Sequence, residues 1–491
     1  MTPTPDNTEL ARGRLSLLGV LTQSIGFMGP VFSIAALLPL VVGLSATGRG
    51  AGVAAPAAIL IAAVGVAGVG WIISQYAKRI HQCGSLYDYV TRSAGPRLGL
   101  VGGWLYYGAM LVLAAATFLL LGGLTQDLLH NVLSVDVPWW PLSLGYVAIV
   151  IAVLVIGVQI SIRSQLALAL ISMAVVFAFS LRIILAGGQG GDSLSATPFN
   201  PLAVGGLDLL YGVLYGINMF IGFESAANLA EETANPKRHI PRAVLLSLIV
   251  AGAFYVVTAY SQAVGFGLDA EAWKNSVFPL QALASGDEFG SPLFGDFVSV
   301  LVILDILAVA IGVGVAVTRG MFSMAREGRL PKALAVVHNR YRTPARAAVL
   351  LGVVSIGAIV VVVMGDGLFS RSTGEPGVLQ PQWAPMFGWM AGFGGTGLAL
   401  MYLVVSAAGV RGLWGQVSRG KLLVAAAAGV TVAAGAVFGA FYQAASPTDT
   451  IPWALLVWIA LGTLWSYVAL RRPAGPVETE ASVAQAAPAG D

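Results

Sequence analysis

The chain has 491 residues, 57% hydrophobic and only 10% charged. Soluble domains carry about 25% charged residues, so a water-soluble globular fold is excluded and a polytopic membrane protein is indicated. The net charge of +3 says little about partners, and the single cysteine, Cys83, rules out an intrachain disulfide or a cysteine metal cluster.

Residues 1–14 form a polar, proline-containing tail. The apolar run after it is too long for a signal-peptide core and is expected to stay as a span. A bilayer core needs about 20 apolar residues per helix. On that measure twelve spans are predicted, near 15–44, 51–76, 86–122, 139–158, 164–187, 206–231, 242–266, 294–325, 344–365, 383–410, 421–443 and 452–470. The first and third are long enough to need a tilt, a break or a part outside the hydrocarbon. The longest loop, 267–293, has room for a short helix and no soluble domain. Residues 473–491 are Ala/Pro-rich and read as a disordered tail. The histidines His81, His130, His239 and His338 fall in predicted loops without ligand spacing, so neither metal nor cofactor is expected.

Of the 26 lysines and arginines, all but Arg49, Arg182, Lys274 and Arg371 fall on one face of this arrangement. Such a bias places both termini in the cytoplasm of a cell-membrane protein.

Two spans contain sequence that a membrane helix should avoid. Span 1 reads "SIGFMGPVFS", where Gly26, Gly29 and Pro30 all weaken a helix. The triplet Ile25-Gly26-Phe27 recurs at Ile221-Gly222-Phe223 in span 6, directly before Glu224. A matched pair of interrupted segments marks a transporter's binding site. Spans 1 and 6 are five apart, so a second half starting at span 6 enters from the opposite side. That gives an inverted repeat of five plus five helices, 15–187 and 206–410, with two helices, 421–470, left over. Unwound backbone survives at membrane depth where it lines a cavity or is buried in protein. A half-helix starting there offers free N–H groups to a carboxylate, and free carbonyls can accept from an ammonium. The competing reading is a Gly/Pro kink that lets helices pack closely. Glu224 is a functional candidate as a carboxylate inside a span; alternatively it holds unwound backbone.

Three stretches carry a family resemblance: "FIGFESAANLAEETANPKRHIPRAV" after span 6 begins, "VTRGMFSMAREGRLPKALAVVHNRYRTPARAAVL" at the end of span 8, and "GSLYDYVTRSAGPRLGLVGGWLYY" at the start of span 3. They resemble the amino acid–polyamine–organocation (APC) superfamily, bacterial amino acid permease branch, in the right order along most of the chain. The resemblance implies an all-α fold of the leucine-transporter type with helices 1 and 6 discontinuous. It implies secondary transport of an amino acid by alternating access, through proton-coupled symport or exchange. Carried over by residue, it places Ile25, Gly26, Met28, Gly29 and Val31 on one wall of the substrate site, and Phe220, Gly222, Phe223 and Glu224 on the other. Asn218, Tyr106, Tyr107 and Met110 are expected to line it.

Two departures narrow the coupling. Many relatives carry a lysine in the middle of span 5; aligning "GVQISIRSQLALALISMAVV" places Ser172 there. Sodium-coupled relatives use small hydroxyls on span 8, where this chain reads "AVAIGVGVAVT" with only Thr318 near its end. Glu224 and Asp305, both inside spans, remain as proton-coupling candidates, while Asp88 is expected to cap span 3. Pro236 and Pro241 are expected to end span 6, and Trp104, Trp383 and Trp389 read as interfacial or cavity aromatics. A polyamine or other small amine is the alternative substrate, and a non-transporting nutrient sensor the alternative role. An enzyme is not expected, since the chain lacks HExxH or a supported GxSxG; nor is a channel, for want of a repeated filter or charged rings.

Overall fold

A computed structural model of the protein describes residues 10–11, 13–44, 48–276, 278–365, 371–372, 379–380, 382–442 and 448–471. Most of the expected N-terminal tail and all of 473–491 lie outside these. Among the described residues, twelve helices are long and apolar enough to cross a membrane. They are span 1, Leu17–Val42; span 2, Gly52–Ala77; span 3, Pro96–Leu133; span 4, Trp139–Ile156; span 5, Ile162–Leu185; span 6, Gly206–Glu232; span 7, Pro236–Gly265; span 8, Pro292–Arg326; span 9, Ala345–Met364; span 10, Trp383–Gly412; span 11, Arg419–Phe441; and span 12, Thr448–Leu470. Among the described residues the only strands are a two-residue ribbon pairing Arg371–Ser372 with Leu379–Gln380. The protein is therefore an all-helical, multi-pass membrane protein.

Burial sorts the spans. Span 8 is buried over 83% of its most apolar window and span 12 over 22%. Span 8 is thus central, and span 12 turns side chains such as Trp453, Leu456 and Leu464 outward, a surface that lipid tails cover without penalty. Span 12 is held to span 3 by a pair of tryptophans. Trp104 and Trp458 stack at 4.6 Å, and each indole N–H donates to the other's carbonyl, at 3.0 and 3.3 Å. Trp389 instead donates to Thr450 Oγ1 at 2.8 Å.

The helix pairing has a pattern. Span 3 packs on span 10 and span 8 on span 5; span 1 packs on span 7 and span 6 on span 2; spans 2 and 7, 3 and 8, and 4 and 9 also pack together.

Several local expectations are corrected. Span 3 begins at Pro96, and Leu86–Ala94 is a separate helix, because Gly95 at φ 94° followed by Pro96 stops one helix and starts the next. Asp88 is therefore no cap of span 3; it lies buried in the first turn of the short helix. Pro236 opens span 7 and Pro241 sits just inside it. Pro236 is in the helix's first turn, where a proline lacks only an N–H that has no helical partner, and Pro241 lies further inside span 7, so neither residue serves to end span 6. His130 and His239 lie on the ends of spans 3 and 7 and not in loops. The loop near 267–293 holds two short helices, Ala270–Asn275 and Pro279–Ser285, the first capped by the Asp269 side chain.

Candidate functional site

Span 1 is interrupted at a single residue. Its first half runs Leu17–Met28 and ends at Gly29, whose left-handed backbone (φ 56°, ψ 73°) only glycine adopts cheaply. Pro30 opens the second half, which passes through a π-helical stretch at Ser33–Leu37. Span 6 is broken more widely. Its α-helix ends at Asn218, residues 219–222 turn, Gly222 takes φ 109°, and the remainder, Phe223–Glu232, is a 3-10 helix.

The repeated triplets meet. A side chain on Gly222 would come within 2.7 Å of the Phe27 ring and 3.0 Å of the Met28 backbone nitrogen. From span 8, Gly312 lies equally close to the Phe27 backbone, with 2.9 Å left for a Cβ. Hydrogen bonds sew the breaks together. Ser24 Oγ donates to the Phe223 carbonyl at 2.6 Å and accepts from the Ala226 N–H at 3.2 Å, while Ser225 Oγ donates to the Gln23 carbonyl at 3.3 Å. Tyr255 donates to the freed carbonyl of Met219 at 2.7 Å, and Ser33 to that of Met28 at 3.0 Å. Glu224 is wholly buried. One of its oxygens accepts from Tyr106 at 3.1 Å, the other from Tyr402 at 2.7 Å and the Gly222 N–H at 3.2 Å.

A cavity of about 430 Å³ reaches these breaks. Phe27, Met28, Asn218 and Ile221 lie at its inner end, and Leu40, Tyr442 and Thr448 on the face opposite the chain ends. Of the residues expected at the site, Met28 and Asn218 line this cavity. Ile25, Gly26, Gly29, Val31, Tyr106, Met110, Phe220, Gly222, Phe223 and Glu224 stand outside its lining. Tyr107 is also elsewhere, donating to the Gly84 carbonyl at 2.8 Å and accepting from Asn228 at 3.1 Å. The sequence reading missed Thr117, Phe387, Gly395 and Thr396, which face the cavity from spans 3 and 10. Thr396 following a Gly-Gly pair in an apolar span was the available signal.

Ser172 donates to the Leu301 carbonyl of span 8 at 3.1 Å. Gln165 of span 5 stands against Gly26, about one turn before the first break. Its Oε1 would lie 2.5 Å from a Cβ on Gly26, and its amide donates to Gln23 Oε1 at 3.3 Å. Gln23 in turn donates to the Gly312 carbonyl at 2.8 Å. Thr318 binds the Gly314 carbonyl and accepts from Arg319. Asp305 of span 8 accepts the Phe32 N–H of span 1 at 2.8 Å.

The face that gathers the chain ends is closed. Arg319 and Glu232 form a fully buried forked pair, with contacts of 3.1 and 3.5 Å. Arg326 makes two contacts with Glu231, at 2.8 and 2.5 Å. Beside them Cys83, Asn228 and Tyr107 are joined through backbone carbonyls, and Tyr87 donates to Glu327 at 2.6 Å.

A family model described as "Amino acid permease" matches residues 25–371. The chain belongs to the amino acid permease family. The permease is 25% identical over 369 residues to the "Low-affinity putrescine importer PlaP" of Escherichia coli (strain K12), covering 73% of this chain and 77% of the other. It is 23% identical over 343 residues to the "Branched-chain amino acid permease BcaP" of Bacillus subtilis (strain 168), covering 64% and 70%. It is 24% identical over 329 residues to the "Methylthioribose transporter" of the same strain, covering 63% and 67%. The permease is thus a transporter of the APC superfamily and not an enzyme.

One buried acid of the closed face has a measurable consequence. Asp88 is 3% exposed and its Oδ2 has no hydrogen-bond partner. Burial first, then the charges of Glu327 and Glu231, raise its carboxyl well above the usual range, against the pull of Arg92 and Arg326. An acid whose folded pKa is raised binds its proton more tightly in the folded state. Stability is then lost as pH rises from the unfolded carboxyl value, about 4, towards the raised folded value. Melting temperature is expected to fall across that window, and Asp88→Asn to flatten the fall. Parallel pH profiles for the two proteins would refute this.

Proposed function

We propose that this permease is a secondary active transporter that moves an amino acid or small organic amine across the cell membrane by alternating access. The observation that carries the reading is one-sided access. A cavity reaches the broken spans 1 and 6 from one face, while one buried and one half-buried ion pair close the other. The pairing pattern supports a leucine-transporter-type architecture. Span 3 on span 10 becomes span 8 on span 5 when the two five-span halves are exchanged, and span 1 on span 7 becomes span 6 on span 2. The halves are then 15–187 and 206–410, followed by 421–470. Lysine and arginine bias supports cytoplasmic termini, which makes this an outward-open arrangement. The substrate site lies between the breaks, with Ile25, Gly26, Met28, Gly29 and Val31 on one side and Asn218, Phe220, Gly222, Phe223 and Glu224 on the other. Tyr106 contributes through Glu224, and Met110 is a buried residue of the same span. Where a proton is coupled, Glu224 and Asp305 are the buried acids that would carry it.

The relatives' named substrates span a diamine, branched-chain amino acids and a thiosugar, so the name of a relative does not select one. Counterflow in proteoliposomes, with imposed pH and sodium gradients, tests the proposal. Exchange of a labelled amino acid or amine that responds to the pH gradient is expected. Sodium-driven uptake without a pH effect would overturn proton coupling. Ligand-induced thermal stabilisation without any counterflow would make the protein a sensor and overturn transport.

A further inference from the structure

A broken helix exposes backbone donors, and each buried one needs a partner. At the first break the protein supplies most of the partners itself. The Gly29 N–H donates to the Ile25 carbonyl at 3.1 Å, and that of Ser33 to the Gly29 carbonyl at 2.8 Å. Pro30 has no N–H. Of the two remaining donors, on Val31 and Phe32, that of Phe32 goes to the Asp305 carboxylate at 2.8 Å. A ligand's carboxylate at the start of the second half of span 1 would therefore meet a carboxylate of the protein already in place.

Asp305 therefore fills the position that a substrate anion would need. Its Oδ2 would lie 3.4 Å from a Cβ on Gly29, at the break itself. Its other oxygen, Oδ1, is buried and has no hydrogen-bond partner. A buried carboxylate oxygen left without a partner calls for a donor. The side chain stands immediately behind the cavity wall: Phe32, whose N–H it holds, and Val309, one helical turn further along span 8, both line the cavity. The second break is arranged in the same way, since Glu224 takes the Gly222 N–H. Each break thus carries a carboxylate of the protein's own.

We infer that the substrate of this site is an organic amine that lacks a carboxylate, with Asp305 standing where an amino acid's carboxylate would otherwise dock and presenting its free oxygen to the substrate's ammonium. This rests on the transport reading above and narrows its substrate class. A zwitterionic amino acid would bring its anion to a break whose Phe32 N–H is already taken by a fixed carboxylate.

The test compares each amino acid with its own decarboxylated amine: ornithine with putrescine, lysine with cadaverine, leucine with isopentylamine. Thermal stabilisation of the full-length protein and counterflow in proteoliposomes are read for both members of each pair. The amine of at least one pair is expected to stabilise and exchange, with its amino acid weaker by about tenfold or more. Asp305→Asn keeps an acceptor for the Phe32 N–H and removes the charge, and is expected to reduce that preference by about tenfold. An amino acid that outcompetes its own amine overturns the inference and leaves transport standing. An unchanged preference in Asp305→Asn reduces Asp305 to a backbone cap and overturns its assignment. The wild-type comparison needs no variant to fold. Counterflow with no pair overturns the transport reading, and this inference with it.

Discussion

Replacing Arg319 with methionine is expected to cost about 3–5 kcal/mol of stability and to unseal the face that gathers the chain ends. Arg319 and Glu232 are 1% and 0% exposed and meet as two forks, and a third guanidinium nitrogen donates to Thr318 at 3.2 Å. Removing the arginine leaves Glu232 as an isolated buried charge, which is far more costly than never having had the pair. The double variant Arg319→Met with Glu232→Leu should therefore recover most of the loss. Cys83 supplies an independent readout. It is the only cysteine, is buried, and its thiol donates to the Arg319 carbonyl at 3.6 Å. Burial, reinforced by the Glu231 charge, raises the Cys83 thiol well above its usual range, so the closed state has little thiolate to react. An impermeant thiol reagent should label Cys83 slowly in the native protein and markedly faster in Arg319→Met. A melting curve within about 1 kcal/mol of wild type, the value of an exposed pair, together with unchanged labelling, would refute the sealing role.

The spans and their two faults could be read because both rest on one-dimensional signals. A run of about 20 apolar residues has few fates other than crossing a bilayer. Gly29-Pro30 and Gly222 are local backbone instructions, and the structure breaks the helix at Gly29 and at Gly222. The errors lie where a residue's meaning depends on a partner far along the chain. Asp88 looked like a cap because capping is local; its burial comes from packing beside Glu231 and Glu327, more than 140 residues away. Gln165 was not singled out because its bond to Gln23 joins positions 142 apart in the chain. Asp305 was visible as an acid inside a span, but its bond to the Phe32 N–H spans 273 positions. The same limit explains Tyr106, expected on the cavity wall and found holding Glu224. The aromatic was legible as important, and its partner was not.

Glu224→Gln should reduce substrate exchange to about a tenth or less of wild type, the effect of losing one charge-assisted hydrogen bond of about 1.5–3 kcal/mol. The carboxylate faces donors only: the two tyrosine hydroxyls and the Gly222 N–H. An amide keeps one acceptor and turns the other into a donor, so one side of this arrangement becomes donor against donor. If the amide nitrogen faces Tyr106, that hydroxyl can rotate to accept. If it faces Tyr402, the Gly222 N–H cannot rotate and loses its partner, and that N–H sits at the turn which places Phe27 against the second break. The two tyrosines should therefore rank. Tyr402→Phe removes the shorter bond, 2.7 Å, on the oxygen shared with Gly222, and Tyr106→Phe the longer, 3.1 Å. Exchange should fall more in Tyr402→Phe than in Tyr106→Phe, and both should stay above Glu224→Gln. Equal activity in all three variants and wild type would remove Glu224 from the substrate path. A reversed order of the two tyrosines would show that Tyr106 is the stronger support of the carboxylate.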